Sequence, residues 1–153
     1  MFSKEEASKI RHKFWTTFGR YMQPVPSAYG LAINWINYKT GFKPLNIRTE
    51  ATKREAILRL EIIEKEPGLA ELYFEQLLEL KLYFETVVGP DWNWITNDDY
   101  PHEHCYAYVE KRLEKVSVFR EDDWPDIIDF LKQNLILLDA FWSDARHTFE
   151  SLG

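Results

Sequence analysis

Residues 45–63 read Leu45-Asn46-Ile47-Arg48-Thr49-Glu50-Ala51-Thr52-Lys53-Arg54-Glu55-Ala56-Ile57-Leu58-Arg59-Leu60-Glu61-Ile62-Ile63. Apolar and polar side chains alternate on both sides of Lys53-Arg54, the period of a half-buried strand. Leu45–Ala51 and Glu55–Ile63 are therefore predicted strands, turned back on each other as a hairpin. Alternation places Leu45, Ile47 and Thr49 on one face with Leu58, Leu60 and Ile62, and leaves Asn46, Arg48 and Glu50 on the other. A connection of two or four residues around Lys53-Arg54 keeps these faces matched, whereas a one-residue slip would flip a strand. The resulting register sets Arg48 beside Arg59.

Outward from this hairpin, Leu31–Tyr38 and its turn signal Lys39-Thr40-Gly41 predict a preceding strand, completing a three-stranded meander. Trp92–Thr96 and Cys105–Leu113 predict two further strands joined by the polar loop Asn97–His104, with Val116–Phe119 a short extension. Ser3 and Glu6 form a capping box that starts a helix running to about Met22, where Pro24 and Pro26 prevent its continuation. Glu66-Pro67-Gly68 opens a second helix with an apolar stripe from Leu69 to Val87. Asp123-Trp124-Pro125-Asp126 opens a third, Asp as cap and Pro in the first turn, whose stripe runs through Leu131, Leu138 and Trp142 to Phe149 as one long helix or two short ones. The expected fold is α+β: a mainly antiparallel sheet of about five strands packed against N-terminal, middle and C-terminal helices.

The 153 residues make one domain, and 45% hydrophobic with 29% charged residues excludes a chain disordered throughout. No apolar run approaches the roughly 20 residues of a membrane span, and Met1-Phe2-Ser3-Lys4-Glu5-Glu6 lacks a signal-peptide layout. A cytoplasmic protein without membrane partners is expected. Aromatic residues reach 16%, enough to supply much of a core, and Phe14 and Trp142 lie on the stripes of the terminal helices. Charge is uneven: residues 1–65 hold 12 Lys+Arg against 6 Asp+Glu, and the remainder 7 against 19. The two halves either attract across one fold or present a basic surface to an anionic partner.

Candidate chemistry is sparse. Asp99, His102 and His104 are the one metal-like group, but a third and fourth ligand at persuasive spacing are lacking, so no bound metal is expected. For metal-dependent phosphodiester cleavage, Glu50, Glu61, Glu64 and Lys65 supply the residue types, yet Glu61 and Glu64 fall on opposite faces of a regular strand. Cys105 is the single cysteine; it cannot form an internal disulfide, and it reads as a small buried thiol. No G-x-S-x-G elbow or glycine-rich phosphate loop occurs, so no catalytic residue is assigned and no cofactor is expected.

The strongest binding feature is the basic set Lys43, Arg48, Lys53 and Arg59, with Trp35 and Tyr38 as aromatics beside it for base stacking. Arg48 opposite Arg59 requires either a bound anion or neighbouring carboxylates. Glu61 and Glu50, at the diagonal positions, supply the second solution.

Phe14-Trp15 with Phe18-Gly19, Trp35-Ile36-Asn37-Tyr38-Lys39-Thr40-Gly41, Phe74-Glu75-Gln76-Leu77, Asp122-Asp123-Trp124-Pro125 and Phe141-Trp142-Ser143 together carry a resemblance. Over almost its whole length the chain resembles an uncharacterised bacterial domain family, a domain of unknown function that occurs alone or behind restriction- or repair-type nuclease domains. That resemblance implies an accessory role in nucleic-acid transactions and carries no catalytic residue with it. The expectation is a non-catalytic binding or regulatory module with a nucleic acid or a protein as partner. A metal-dependent nuclease-like enzyme and a dimeric interaction domain are the alternatives, separated by converging carboxylates in a cleft or by an exposed apolar patch.

Overall fold

The computed structural model describes residues 2–97, 100 and 104–152. Helix α1 (Lys4–Met22) precedes strands β1 (Leu45–Ala51) and β2 (Glu55–Ile63), then α2 (Pro67–Glu79), α3 (Lys81–Val87), β3 (Asn93–Thr96), β4 (Cys105–Glu114) and α4 (Trp124–Ala145). Short 3-10 turns, Glu121–Asp123 and Arg146–Leu152, flank α4. The fold is α+β, with one four-stranded antiparallel sheet in the order β1-β2-β4-β3. The β1–β2 register pairs Arg48 with Arg59 and Ile47 with Leu60, as the alternation predicts.

The sheet has four strands rather than about five because Leu31–Tyr38 is not a strand. Its backbone groups are taken locally: Ser27 Oγ accepts from the Leu31 N–H, and Asn34 Oδ1 accepts from the N–H groups of Ile36 and Asn37. Such side-chain bonds compete with a strand ladder. Trp35 is buried and its Nε1 donates to the Val25 carbonyl at 2.9 Å, wrapping the segment on itself. Val116–Phe119 is likewise no strand; the N–H groups of Val116 and Val118 instead donate to Arg54 and Thr52 in the β1–β2 turn.

The predicted middle helix is two helices. Leu80 leaves the helical conformation at φ −91°, ψ 3°, and its N–H donates to Leu77 and Leu78. The Ser3–Glu6 capping box forms in both directions. Asp123 departs from expectation: instead of capping α4 it accepts from the Ser117 N–H and from Arg120 Nε. The helix begins regardless, with Pro125 in its first turn, and continues unbroken for 22 residues.

One face of the sheet meets the helices. Ala56, Leu58, Leu60 and Ile62 of β2 are buried there with Phe14 and Phe18 of α1, Tyr73 and Leu77 of α2, Phe84 of α3 and Leu131, Leu138, Phe141 and Trp142 of α4. Aromatic rings join the elements at edges: Phe14 meets Trp124 at 5.4 Å and Phe84 meets Phe141 at 5.1 Å between centroids. Among the described residues no helix is long and apolar enough to cross a membrane.

Candidate functional site

The other face of the sheet is where alternation sends the charged residues of β1, β2 and β4. Arg48 pairs with Glu50 and approaches Glu61 at 3.9 Å. Arg59 lies 4.0 Å from Glu61 and donates from Nε to Glu110 at 2.7 Å, while its guanidinium covers the Tyr108 ring at 4.3 Å. Arg112 bridges Glu110 at 2.7 Å and Glu55 at 2.6 Å. Asn46 donates to the remaining Glu61 oxygen at 3.0 Å. Glu61 and Glu110 are buried, so their charges are tolerable only because arginines meet them. Burial by itself would raise the Glu110 pKa, but hydrogen bonds from Arg112 and Arg59 outweigh it and hold the carboxyl below its ordinary value.

This lattice answers the Arg48–Arg59 juxtaposition with carboxylates. Lys43 and Lys53 are exposed and stand at opposite ends of β1, on the order of 20 Å apart at strand rise, so the four basic residues do not converge. The two aromatics are elsewhere: Trp35 is in the core, and Tyr38 lies against α4. Asp99 and His102 lie outside the described residues. His104 is described, with φ 56°, and no group of three or more His, Cys, Asp or Glu able to hold a metal occurs among the described residues.

A second polar site has no counterpart in the sequence reading. The segment around residues 27–41 arches over the C-terminal half of α4 and leaves a cleft of about 270 Å³. Asp139, 3% exposed, accepts from the Ala28 N–H at 2.7 Å and from the Tyr38 hydroxyl. Tyr29 donates its hydroxyl to the Ser143 carbonyl at 2.6 Å, and Trp142 Nε1 donates to the Thr40 carbonyl at 2.8 Å. Burial, followed by the bond to Asp139, pushes the Tyr38 phenol far above its ordinary range, so it remains a neutral donor.

Arg146 and Lys39 also line this cleft. The Arg146 guanidinium lies over Gly41, where an added Cβ would sit 3.0 Å from Nη2 and where φ is +88°. Glycine satisfies both demands, the left-handed backbone and the close approach. Arg146 has no side-chain hydrogen bond or ion pair among the described residues. A signal for this site does exist in the sequence: Leu135, Asp139, Trp142 and Arg146 recur at helical spacing, so an acid and a base interrupt an otherwise apolar stripe.

No curated protein and no solved structure matches the chain. Residues 10–146 match the model of a family described as a domain of unknown function, DUF4268. That match takes in the whole sheet, all of α2 to α4 and both charged regions, and with it the chain belongs to the DUF4268 family.

Proposed function

We propose that the protein is a non-catalytic binding or regulatory module, an accessory to bacterial nucleic-acid processing or defence, and that its recognition element is the cleft between residues 27–41 and α4. The observation that carries this reading is the state of Asp139. Among the described residues it is the one carboxylate lining the cleft, and it is engaged by the Ala28 N–H and the Tyr38 hydroxyl. Each of its oxygens holds one point of the loop, which supports an anchoring role for this carboxylate rather than that of a general base. On the sheet face the arginines are matched by carboxylates, which supports a stabilising role there rather than phosphate binding.

The test is incubation with single- and double-stranded DNA and RNA in the presence of Mg²⁺ or Mn²⁺. Substrates should remain intact on a denaturing gel, at protein concentrations where fluorescence anisotropy reports binding at low salt. Cleavage that disappears in Asp139→Asn would overturn the non-catalytic reading, and silence from every probe would remove the nucleic-acid assignment. A protein-interaction role is a second reading, supported by exposed Leu72 and Leu78 on α2 and Leu82 on α3; a concentration-dependent mass in light scattering is its readout.

A further inference from the structure

Arg146 is half-buried and lines the cleft with no side-chain hydrogen bond or ion pair among the described residues. Withdrawing a cation from water costs free energy that a nearby anion recovers. Asp139 lines the same cleft but no ion pair joins it to Arg146; each of its oxygens accepts one hydrogen bond, from Ala28 or from Tyr38, and these neutral donors leave its formal charge in place. Lys39, without an ion pair among the described residues, adds a second cation to the same lining. Tyr38 contributes no negative charge, because its phenol stays protonated. Asn34 spends its Oδ1 on the N–H groups of Ile36 and Asn37, which leaves its amide NH₂ group as a donor, and Asn37 also lines the cleft. The cleft thus gathers two cations and two amides against a single carboxylate among the described residues, a lining that is positive overall.

From this arrangement we infer that the cleft binds a phosphomonoester, the terminal phosphate of a nucleotide or of an oligonucleotide, with Arg146 and Lys39 as its cationic contacts. The inference rests on the cleft being the recognition element of a binding module. Two cations against one carboxylate favour an anionic ligand, and the planar fork of arginine matches two phosphate oxygens at once. At about 270 Å³ the cavity falls just below the roughly 300–1,000 Å³ of drug-sized ligand sites, which suits a phosphate and its attached sugar rather than a long chain.

The experiment compares two short oligodeoxynucleotides labelled at the 3′ end, one with a 5′-phosphate and one with a 5′-hydroxyl, by anisotropy. Inorganic phosphate and adenosine monophosphate serve as competitors. The phosphorylated probe should bind about tenfold tighter or more, and both competitors should displace it. Stronger displacement by adenosine monophosphate identifies a free nucleotide as the ligand; a preference for the phosphorylated oligonucleotide over it identifies a strand end. Arg146→Ala should erase the preference for phosphate, and Arg146→Lys should restore part of it. Lys39 is exposed, so Lys39→Ala provides a variant whose folding is secure and whose phosphate preference should also fall. Equal binding of both probes, with neither competitor effective, overturns the phosphate assignment. If that equal binding is still lost in Lys39→Ala and Arg146→Ala, the module reading survives it. Cleavage of either probe overturns the module reading itself.

Discussion

On the open face of the sheet, Arg48, Arg59 and Arg112 meet Glu50, Glu55, Glu61 and Glu110, whereas in the cleft Arg146 and Lys39 stand without a carboxylate partner among the described residues. The two regions use similar side chains. They differ in how those side chains were brought together. Strand pairing fixes neighbours at roughly 5 Å across a ladder, so alternating charges on β1, β2 and β4 must meet one another and neutralise. The cleft is made by a loop held to a helix more than 100 positions away in sequence, through Ala28–Asp139, Tyr29–Ser143, Tyr38–Asp139 and Thr40–Trp142. There each bond orients the loop and none of them consumes the cations. A matched lattice stabilises; an unmatched pair of cations in a cavity is available to a ligand.

The contrast can be broken most severely at Trp142, which belongs to the core and also holds the Thr40 carbonyl. Trp142→Ala should destabilise the fold by about 3–5 kcal/mol and open the cleft, as read by thermal melting together with loss of ligand binding. A melting temperature within a degree or two of the parent would show that the loop is not anchored through this ring. Next in size is Glu110→Ala, which strands Arg59 and Arg112 beside a buried site. A loss of about 2–3 kcal/mol in urea unfolding is expected, below the value for a fully buried pair because both arginines keep some solvent contact.

Asp139→Ala should cost about 1–3 kcal/mol by leaving the Tyr38 hydroxyl and the Ala28 N–H without an acceptor, and hydrogen exchange over residues 27–41 should accelerate. Arg48→Ala is the smallest step. Its side chain is 52% exposed, and about 0–1 kcal/mol is expected, with no change in phosphate binding. A large loss of binding there would place recognition on the sheet after all.

Acid titration separates the regions without mutation of the cleft. The Glu110 pKa is depressed in the folded protein, so the stability it contributes is present above its ordinary value of 4.5 and is lost as pH falls through the folded value. Urea midpoints measured from neutral pH downward should therefore decline through that acid window, and Glu110→Gln should decline less steeply from a lower starting point. Parallel curves for the two proteins would remove Glu110 from the linkage.

Much of the sheet was legible because a strand's period is two and burial tolerates no slip: the pairing of Arg48 with Arg59 and the carboxylates at its diagonals follow from residues 45–63 alone. Leu31–Tyr38 misled for a physical reason. Its Ile33, Trp35, Ile36 and Tyr38 have strand-like character, but Ser27, Gly30 and Asn34 offer the backbone closer partners, and Trp35 is buried in the core with its Nε1 on the Val25 carbonyl. A strand there would set Tyr38 beside the sheet; the arch instead sets it over α4, where the cleft forms.

The sequence by itself determined the elements whose partners are local or periodic: the capped α1, the β1–β2 hairpin and its register, the apolar stripe of α4, and burial of Phe14 and Trp142. Membership of the DUF4268 family was likewise carried by the sequence. Only the tertiary structure decided that the sheet orders itself β1-β2-β4-β3, that residues 27–41 form a tethered arch, and that Asp139 and Arg146 share one cleft with Lys39. Periodicity records which face of an element is buried, because burial is an average over many neighbours. The partner of a single loop residue is chosen by geometry between segments distant in sequence, and no local pattern encodes that distance.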